Sequence, residues 1–265
     1  MNSVSQNINK STARIVCDNG TGTGFYFCFV DKNDSNKVYP FIVTNKHVIE
    51  GAQQAQLRLN LKPNEKGIRF YDLKISNLTQ TFIPHPDENI DLCIYPLHDV
   101  FEDAAKNGVE LDTFFFADTH IIGADNLNPV EDIYMTGYPR GLWAEDTNKP
   151  ITRKGITASD VNIDWNGKKQ FMIDMACFGG SSGSPVYVMT EGSYSSGNGI
   201  AIGNRFIFLG VLCSGPILQV DGSIEIIEVP TSTVAISRTN VMMNLGIVVK
   251  ATELLIFKSL LGIGQ

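Results

Sequence analysis

The segment Gly179-Gly180-Ser181-Ser182-Gly183-Ser184-Pro185 sets a serine between glycines, in a turn that runs straight into the apolar strand Val186-Tyr187-Val188. A nucleophilic hydroxyl needs an exposed Oγ, small neighbours and backbone N–H groups free to face a developing oxyanion. Glycines allow the backbone angles that aim such N–H groups. The same composition also suits an inert loop, so chemistry at Ser182 requires a base and an orienting acid elsewhere in the chain. His47 supplies the first. It stands just past the strand-like run Phe41-Ile42-Val43, where the strand can hold its backbone while the ring faces a cleft, and imidazole transfers protons near neutral pH. Asp91 supplies the second: it follows the polar run Pro84 to Asn89 and directly precedes the apolar Leu92-Cys93-Ile94, a setting that half-buries a carboxylate. Such an acid fixes the tautomer of the base and stabilises its charged form. Asp87 and Asp99 are the nearest rivals, and Asp91 is preferred because a hydrophobic strand follows it at once.

The chain order is His, Asp, Ser, which separates this set from the subtilisin and α/β-hydrolase orders. The motifs around it resemble those of trypsin-like, chymotrypsin-fold serine peptidases of the bacterial kind, nearest to the protease domains of the Deg/HtrA and glutamyl-endopeptidase branches without a PDZ domain. Gly22-Thr23-Gly24-Phe25 resembles the family's first hairpin, and Thr44-Asn45-Lys46-His47-Val48 its histidine motif. Asp91-Leu92-Cys93-Ile94 resembles its aspartate motif and Gly137-Tyr138-Pro139 the opening of its second barrel. Gly180 to Pro185, with Asp174 upstream, resembles its nucleophile turn. The resemblance implies an all-β fold of two antiparallel six-stranded Greek-key barrels with a C-terminal helix. It places a polar tail at 1–11, the first barrel at 12–110, the second at 111–250 and the helix at 251–265.

The activity it implies is peptide-bond hydrolysis through an acyl-enzyme, with Ser182 as nucleophile, His47 as base, Asp91 as orienting acid, and the N–H groups of Gly180 and Ser182 as the oxyanion hole. The alternative is a catalytically silent relative that keeps the groove and binds peptides or partners. By position, Ala176, Cys177, Cys213, Ser214 and Gly215 line the primary pocket; no acid lies at that depth, which favours a small or medium apolar side chain before the cut. Ser181 stands where animal trypsins carry the aspartate that pairs with a newly cut N-terminus. Activation at Arg14-Ile15 is therefore not expected, and residues 12–17 read as the first strand. The Gly179-Gly180 pair makes the segment from Cys177 to Ser181 the expected place for a partner- or ligand-set gate.

Composition agrees with a folded catalytic unit. The 265 residues are 43% hydrophobic, enough to fill one or two cores. Strand-like runs dominate, among them Phe25 to Val30, Phe206 to Leu212 and Ile224 to Val229; Val100 to Asn107 and Thr252 to Leu261 read as helices, and Glu191 to Asn198 as a hairpin tip. With 21 basic and 28 acidic residues the net charge is −7. No basic stripe forms: Arg153-Lys154 and Lys168-Lys169 read as solvated turn charges, so nucleic acid is not an expected partner. His85 reads as a loop residue at the cleft mouth, and the histidines lack the compact spacing of a metal site, so neither metal nor cofactor is expected. No apolar run is long enough for a membrane span, and the polar start Met1 to Thr12 is no secretory signal. A cytoplasmic location with its five cysteines as free thiols follows as the expectation, the alternative being a Cys17–Cys28 disulfide across a hairpin near Gly22 in an oxidising compartment. The expected partner is a protein or peptide substrate, a dedicated effector protein included.

Overall fold

A computed structural model describes residues 3–34, 36–121, 127–196, 199–223 and 236–263. Period-two patterning builds the first sheet, as in Gln54–Asn60, where Ala55, Leu57 and Leu59 are buried and the residues between them face solvent. Its strands are β1 (Thr12–Cys17), β2 (Gly20–Val30), β3 (Val38–Thr44), β4 (Gln54–Asn60), β5 (Phe70–Ser76), β6 (Ile83–Pro84), β7 (Cys93–Pro96) and β8 (Phe116–Ala117). They are ordered β5-β4-β1-β2-β3-β7-β6, with β8 added in parallel to β2. The second sheet contains β9 (Asp132–Gly137), β10 (Ile151–Thr157), β11 (Gln170–Asp174) and β12 (Pro185–Thr190). After the hairpin β13 (Ser193–Ser196) and β14 (Gly199–Ile202) come β15 (Arg205–Ser214), β16 (Ile217–Ser223), β17 (Ile236–Met242) and β18 (Leu245–Lys250). Strands β10-β11-β18-β15-β12-β9 close into the expected six-stranded barrel, while β16 and β17 form a separate hairpin.

The first sheet is a curled half-barrel of eight strands rather than a closed six. Between its end strands β5 and β6 the chain forms a short helical turn, Leu78–Thr81, and β6 is cut to two residues where Pro84 and then Pro86 remove ladder donors. Residues 12–17 form β1 as expected, with Ile15 fully buried between β2 and β4. The helix expected at 100–107 spans His98–Lys106. Where a hairpin tip was expected at 191–198, residues 193–196 are already a strand and pair with 199–202, whereas the strand expected at 224–229 lies outside the described residues.

Strand β2 is buried on both faces, and this fixes how the sheets meet. Tyr26 points into the first sheet's own core, while Phe25, Phe27 and Phe29 join a core shared with Tyr187, Phe208, Val211 and Phe257. Phe116 packs at 5.6 Å from Phe25 and 4.9 Å from Phe208, ring centre to ring centre. Each such buried ring contributes about 2 kcal/mol from area alone, with up to about 1 kcal/mol more from edge-to-face geometry. The C-terminal segment is a 3₁₀ turn, Ala251–Leu254, followed by a helix, Leu255–Leu260. Leu254 and Phe257 enter the shared core, so the segment contacts the first sheet as well as the second; Lys258 Nζ donates to Asp118 Oδ2 (2.5 Å) and to the Val30 carbonyl (3.2 Å). Among the described residues no helix is long and apolar enough to cross a membrane, and no group of His, Cys, Asp and Glu is arranged to hold a metal.

Two expectations about single residues are corrected. His85 is not at a cleft mouth: it is 5% exposed, edge-on to Phe257 and 3.8 Å from Glu253, because the C-terminal segment covers it. Arg153 is not a turn charge. It lies inside β10, where alternation turns it inward and leaves the neighbouring Lys154 outside, paired with Asp132.

Candidate active site

Strand β3 ends at Thr44, and Asn45 leads into a single helical turn, Lys46–Ile49, that carries His47. Asn45 is fully buried and its amide donates to the Asp91 carbonyl at 2.7 Å, so the turn bearing His47 is tied to the segment bearing Asp91. The carboxylate then engages His47 twice. Asp91 Oδ1 accepts the His47 backbone N–H at 3.2 Å, and Oδ2 lies 2.5 Å from Nδ1. With Nδ1 committed to a carboxylate, the imidazole carries its proton there and presents Nε2 as the acceptor. Lys46 Nζ donates to the Asp87 carbonyl, closing the loop that precedes Asp91.

Ser182 reaches this pair through Thr23 of β2. The Thr23 N–H donates to the Ser182 carbonyl (2.9 Å), its hydroxyl donates to the Gly180 carbonyl (2.9 Å), and its own carbonyl accepts from Thr44 Oγ1 (2.8 Å). Two residues separate Thr44 from His47 along the chain, so Thr23 couples the Ser182 turn to the histidine turn. Glycine is required at this junction. A Cβ on Gly183 would stand 1.9 Å from the Thr23 carbonyl oxygen and 2.6 Å from Thr44 Oγ1, at a φ of +85°. Ser182 is half-buried, and its hydroxyl makes no hydrogen bond among the described residues, His47 included. Hydrogen bonds of this kind tighten when substrate fills a catalytic site.

The turn before Ser182 is held by backbone and side-chain bonds. Ser181 N–H closes it on the Phe178 carbonyl at 3.0 Å, with Gly180 at a φ of +81°. The Gly179 carbonyl accepts the Arg140 N–H (2.6 Å) and the Gly180 carbonyl accepts the Thr23 hydroxyl (2.9 Å). The N–H groups of Gly180 and Ser182 have no hydrogen-bond acceptor among the described residues. The segment from Cys177 to Ser181, expected as the place for a gate, is tied at several points in this structure.

The expected pocket residues stand beside this turn. Ala176 and Gly215 are half-buried, Cys177 and Cys213 buried, and Ser214 exposed at the end of β15. Burial pushes the Cys177 and Cys213 thiols up to about 11; the Asp91 charge adds to the rise at Cys213, and Arg153 opposes the rise at Cys177. All five cysteines are free, and Cys17 and Cys28 face Gly20 and Pro40 across their ladders rather than each other. Two features were missed in the sequence. One is a cavity of about 550 Å³ beside His47 and Asp91, with Ile49, Leu78 and Phe82 in its wall and Lys46, Glu50 and Glu88 also lining it. The other is the set of residues that hold the turn, Thr23 and Arg153 above all; their signal was the glycine on each side of Thr23 and the inward phase of Arg153 in β10.

A curled β-sheet packed on a closed β-barrel, with His, Asp and Ser motifs in that order, defines a chymotrypsin-like peptidase fold. The family described as "Trypsin-like peptidase domain" matches residues 22–193, and the chain belongs to that family. No curated protein matches the sequence. Solved structures similar to it include the Rv3671c protease of M. tuberculosis H37Rv in its inactive form, at 15% identity and a TM-score of 0.43, with 99% of this chain and 92% of that one covered. The MamO protease domain of Magnetospirillum magneticum, in its apo form, is similar at 11% identity and a TM-score of 0.46, with coverage of 95% and 97%. An inactivated protease paralogue of the scabies mite is similar at 10% identity and a TM-score of 0.39, with coverage of 97% and 96%.

Proposed function

We propose that this chain is a serine endopeptidase that hydrolyses peptide bonds of a protein substrate through Ser182, His47 and Asp91. The observation that carries the reading is the double engagement of His47 by the Asp91 carboxylate, on a turn coupled through Thr44 and Thr23 to Ser182. Ser182 Oγ attacks the scissile carbonyl carbon while His47 Nε2 takes the hydroxyl proton. The oxyanion is received by the N–H groups of Gly180 and Ser182. Asp91 stabilises the imidazolium and stays ionised. His47 then gives the proton to the leaving amine, and water, deprotonated by the same imidazole, releases the acyl group from Ser182. Each oxyanion donor contributes about 3–4 kcal/mol at the transition state.

Ala176 and Cys177 on one side, with Cys213 to Gly215 on the other, form the primary pocket and admit a small or medium apolar side chain. The cavity beside His47 receives a second, larger apolar side chain against Phe82 and Leu78. A narrow protein substrate and a cytoplasmic setting belong to the same reading, the latter supported by five free, buried thiols. Digestion of a diverse peptide library by the wild type and by Ser182→Ala tests it. Cleavage after small or medium apolar residues, lost in the variant, is expected. Cleavage after Arg, Lys or Glu would refute the pocket assignment, and no Ser182-dependent cleavage under any condition would favour the silent, peptide-binding alternative.

A further inference from the structure

The Arg153 guanidinium spans the two ends of the turn that precedes the nucleophile. One Nη donates to the Ala176 carbonyl and the other to Ser181 Oγ at 2.9 Å. Ser181 is fully buried, and it is the residue directly before Ser182. Between the two anchors lie Cys177 to Gly180, the stretch that carries one of the two oxyanion donors. Placing this cation is costly: burial pushes the guanidinium below its ordinary range, and its Nε is buried without a hydrogen-bond partner. A planar fork with donors at fixed separation spans two acceptors in a way that a lysine ammonium does not.

We propose that Arg153 is a positioning residue for the oxyanion hole, an internal cation whose fork sets Gly180 and Ser182 without any cut N-terminus. The proposal rests on the serine-peptidase reading for its kinetic consequence, but its structural part stands apart from activity. With the fork gone, the turn keeps its Arg140 and Thr23 contacts on the Gly179 and Gly180 carbonyls and loses its hold at Ala176 and Ser181. Oxyanion stabilisation then fails in the transition state, whereas ground-state peptide binding is largely untouched.

The test compares wild type, Arg153→Met, Arg153→Lys and Ser181→Ala on a peptide ester, with amide hydrogen exchange over residues 176–184 measured in parallel. Arg153→Met keeps the aliphatic stem and is expected to lower kcat ~10²-fold with KM changed less than ~2-fold, as loss of an oxyanion donor does. Arg153→Lys is expected to recover only part of kcat. Exchange at the Ser181 and Ser184 amides should quicken ~10-fold in Arg153→Met while β12 and β15 stay protected. A folded Arg153→Met with wild-type kcat and exchange overturns the proposal. If Arg153→Met does not fold, the other two variants decide: kcat lowered in both supports the proposal, and unchanged kcat in both overturns it. A wild type inert toward ester and fluorophosphonate would sink the peptidase reading, and exchange alone would then judge Arg153, with equal rates refuting the positioning role.

Discussion

Gly183→Ala is expected to do more damage than any other single added methyl group near the site. Gly183 has a φ of +85°, where a side chain costs about 1 kcal/mol. Its Cβ would stand 1.9 Å from the Thr23 carbonyl oxygen, against an ordinary carbon–oxygen approach of about 3.4 Å. The backbone must therefore retreat by about 1.5 Å, judged against that ordinary approach. Such a retreat breaks the Thr23 N–H bond to the Ser182 carbonyl and the Gly183 N–H bond to the Leu212 carbonyl, both 2.9 Å. At about 1 kcal/mol for each lost bond, the fold is destabilised by about 3 kcal/mol. A displacement of this size at the nucleophile also costs ~10² in rate. Urea denaturation reads the first figure, and the pseudo-first-order rate of fluorophosphonate acylation reads the second. Gly179→Ala is the control, since its Cβ meets nothing within 4 Å and its φ is not in the left-handed region; its stability should stay within about 0.5 kcal/mol of wild type. If Gly183→Ala matched Gly179→Ala in both measurements, the junction described at Thr23 would be wrong.

Asp91→Asn removes the charge that orients His47 and is expected to lower kcat ~10⁴-fold at neutral pH with little change in thermal midpoint, a magnitude taken from trypsin; a fall under ~10-fold would count against Asp91 as the orienting acid. Lys258→Met leaves the Asp118 carboxylate, which has only 9% of its side chain exposed, with the Val30 N–H but no counter-charge, and should destabilise the protein by about 3 kcal/mol in urea, with no loss arguing that the pair is idle. Burial raises the thiols of Cys177 and Cys213 to about 11 and of Cys28 to about 12, so iodoacetamide at pH 8 should leave these three unmodified in the native chain and react with all five cysteines once it is unfolded. These folded-state values lie above the unfolded thiol's value of about 8.5. Their stabilising contribution is therefore complete below that pH and is lost progressively as pH climbs from there to the folded values of 11 to 12, so the thermal midpoint should fall between about pH 8.5 and 12. A flat alkaline profile would contradict their burial.

The parts of this molecule that its sequence made legible are local ones. Each of the His47, Asp91 and Ser182 settings is a strand end or a glycine turn, visible within about ten residues in the 3.6 and 2.0 periodicities and in turn chemistry. The strand status of residues 12–17 was readable for the same reason, since alternation buries Ile15 while Arg14 and Val16 lie on the other face. What escaped depended on partners far away in the chain. Phe116–Ala117 became a parallel strand only because β2 offers aromatic residues on the shared-core face. His85 looks like a loop residue between prolines until Phe257 covers it, 172 residues later. Arg153 beside Lys154 has the composition of a surface turn, and only the phase of β10 and the arrival of Ser181 turn its charge inward. The two glycines before Ser182 look alike in the sequence and differ in the fold: Gly179 is open, while Gly180 approaches the Tyr138 carbonyl so closely that a Cβ would lie 2.6 Å from it.

The central claim is that Ser182, activated by His47, is the attacking group. Reaction of the intact protein with a biotinylated fluorophosphonate, followed by mass mapping of the adduct, tests it most directly. The account predicts a single adduct on Ser182, abolished in Ser182→Ala and slowed ~10³-fold or more in His47→Ala. An adduct on Ser181 or Ser184, or labelling that survives Ser182→Ala, would contradict it.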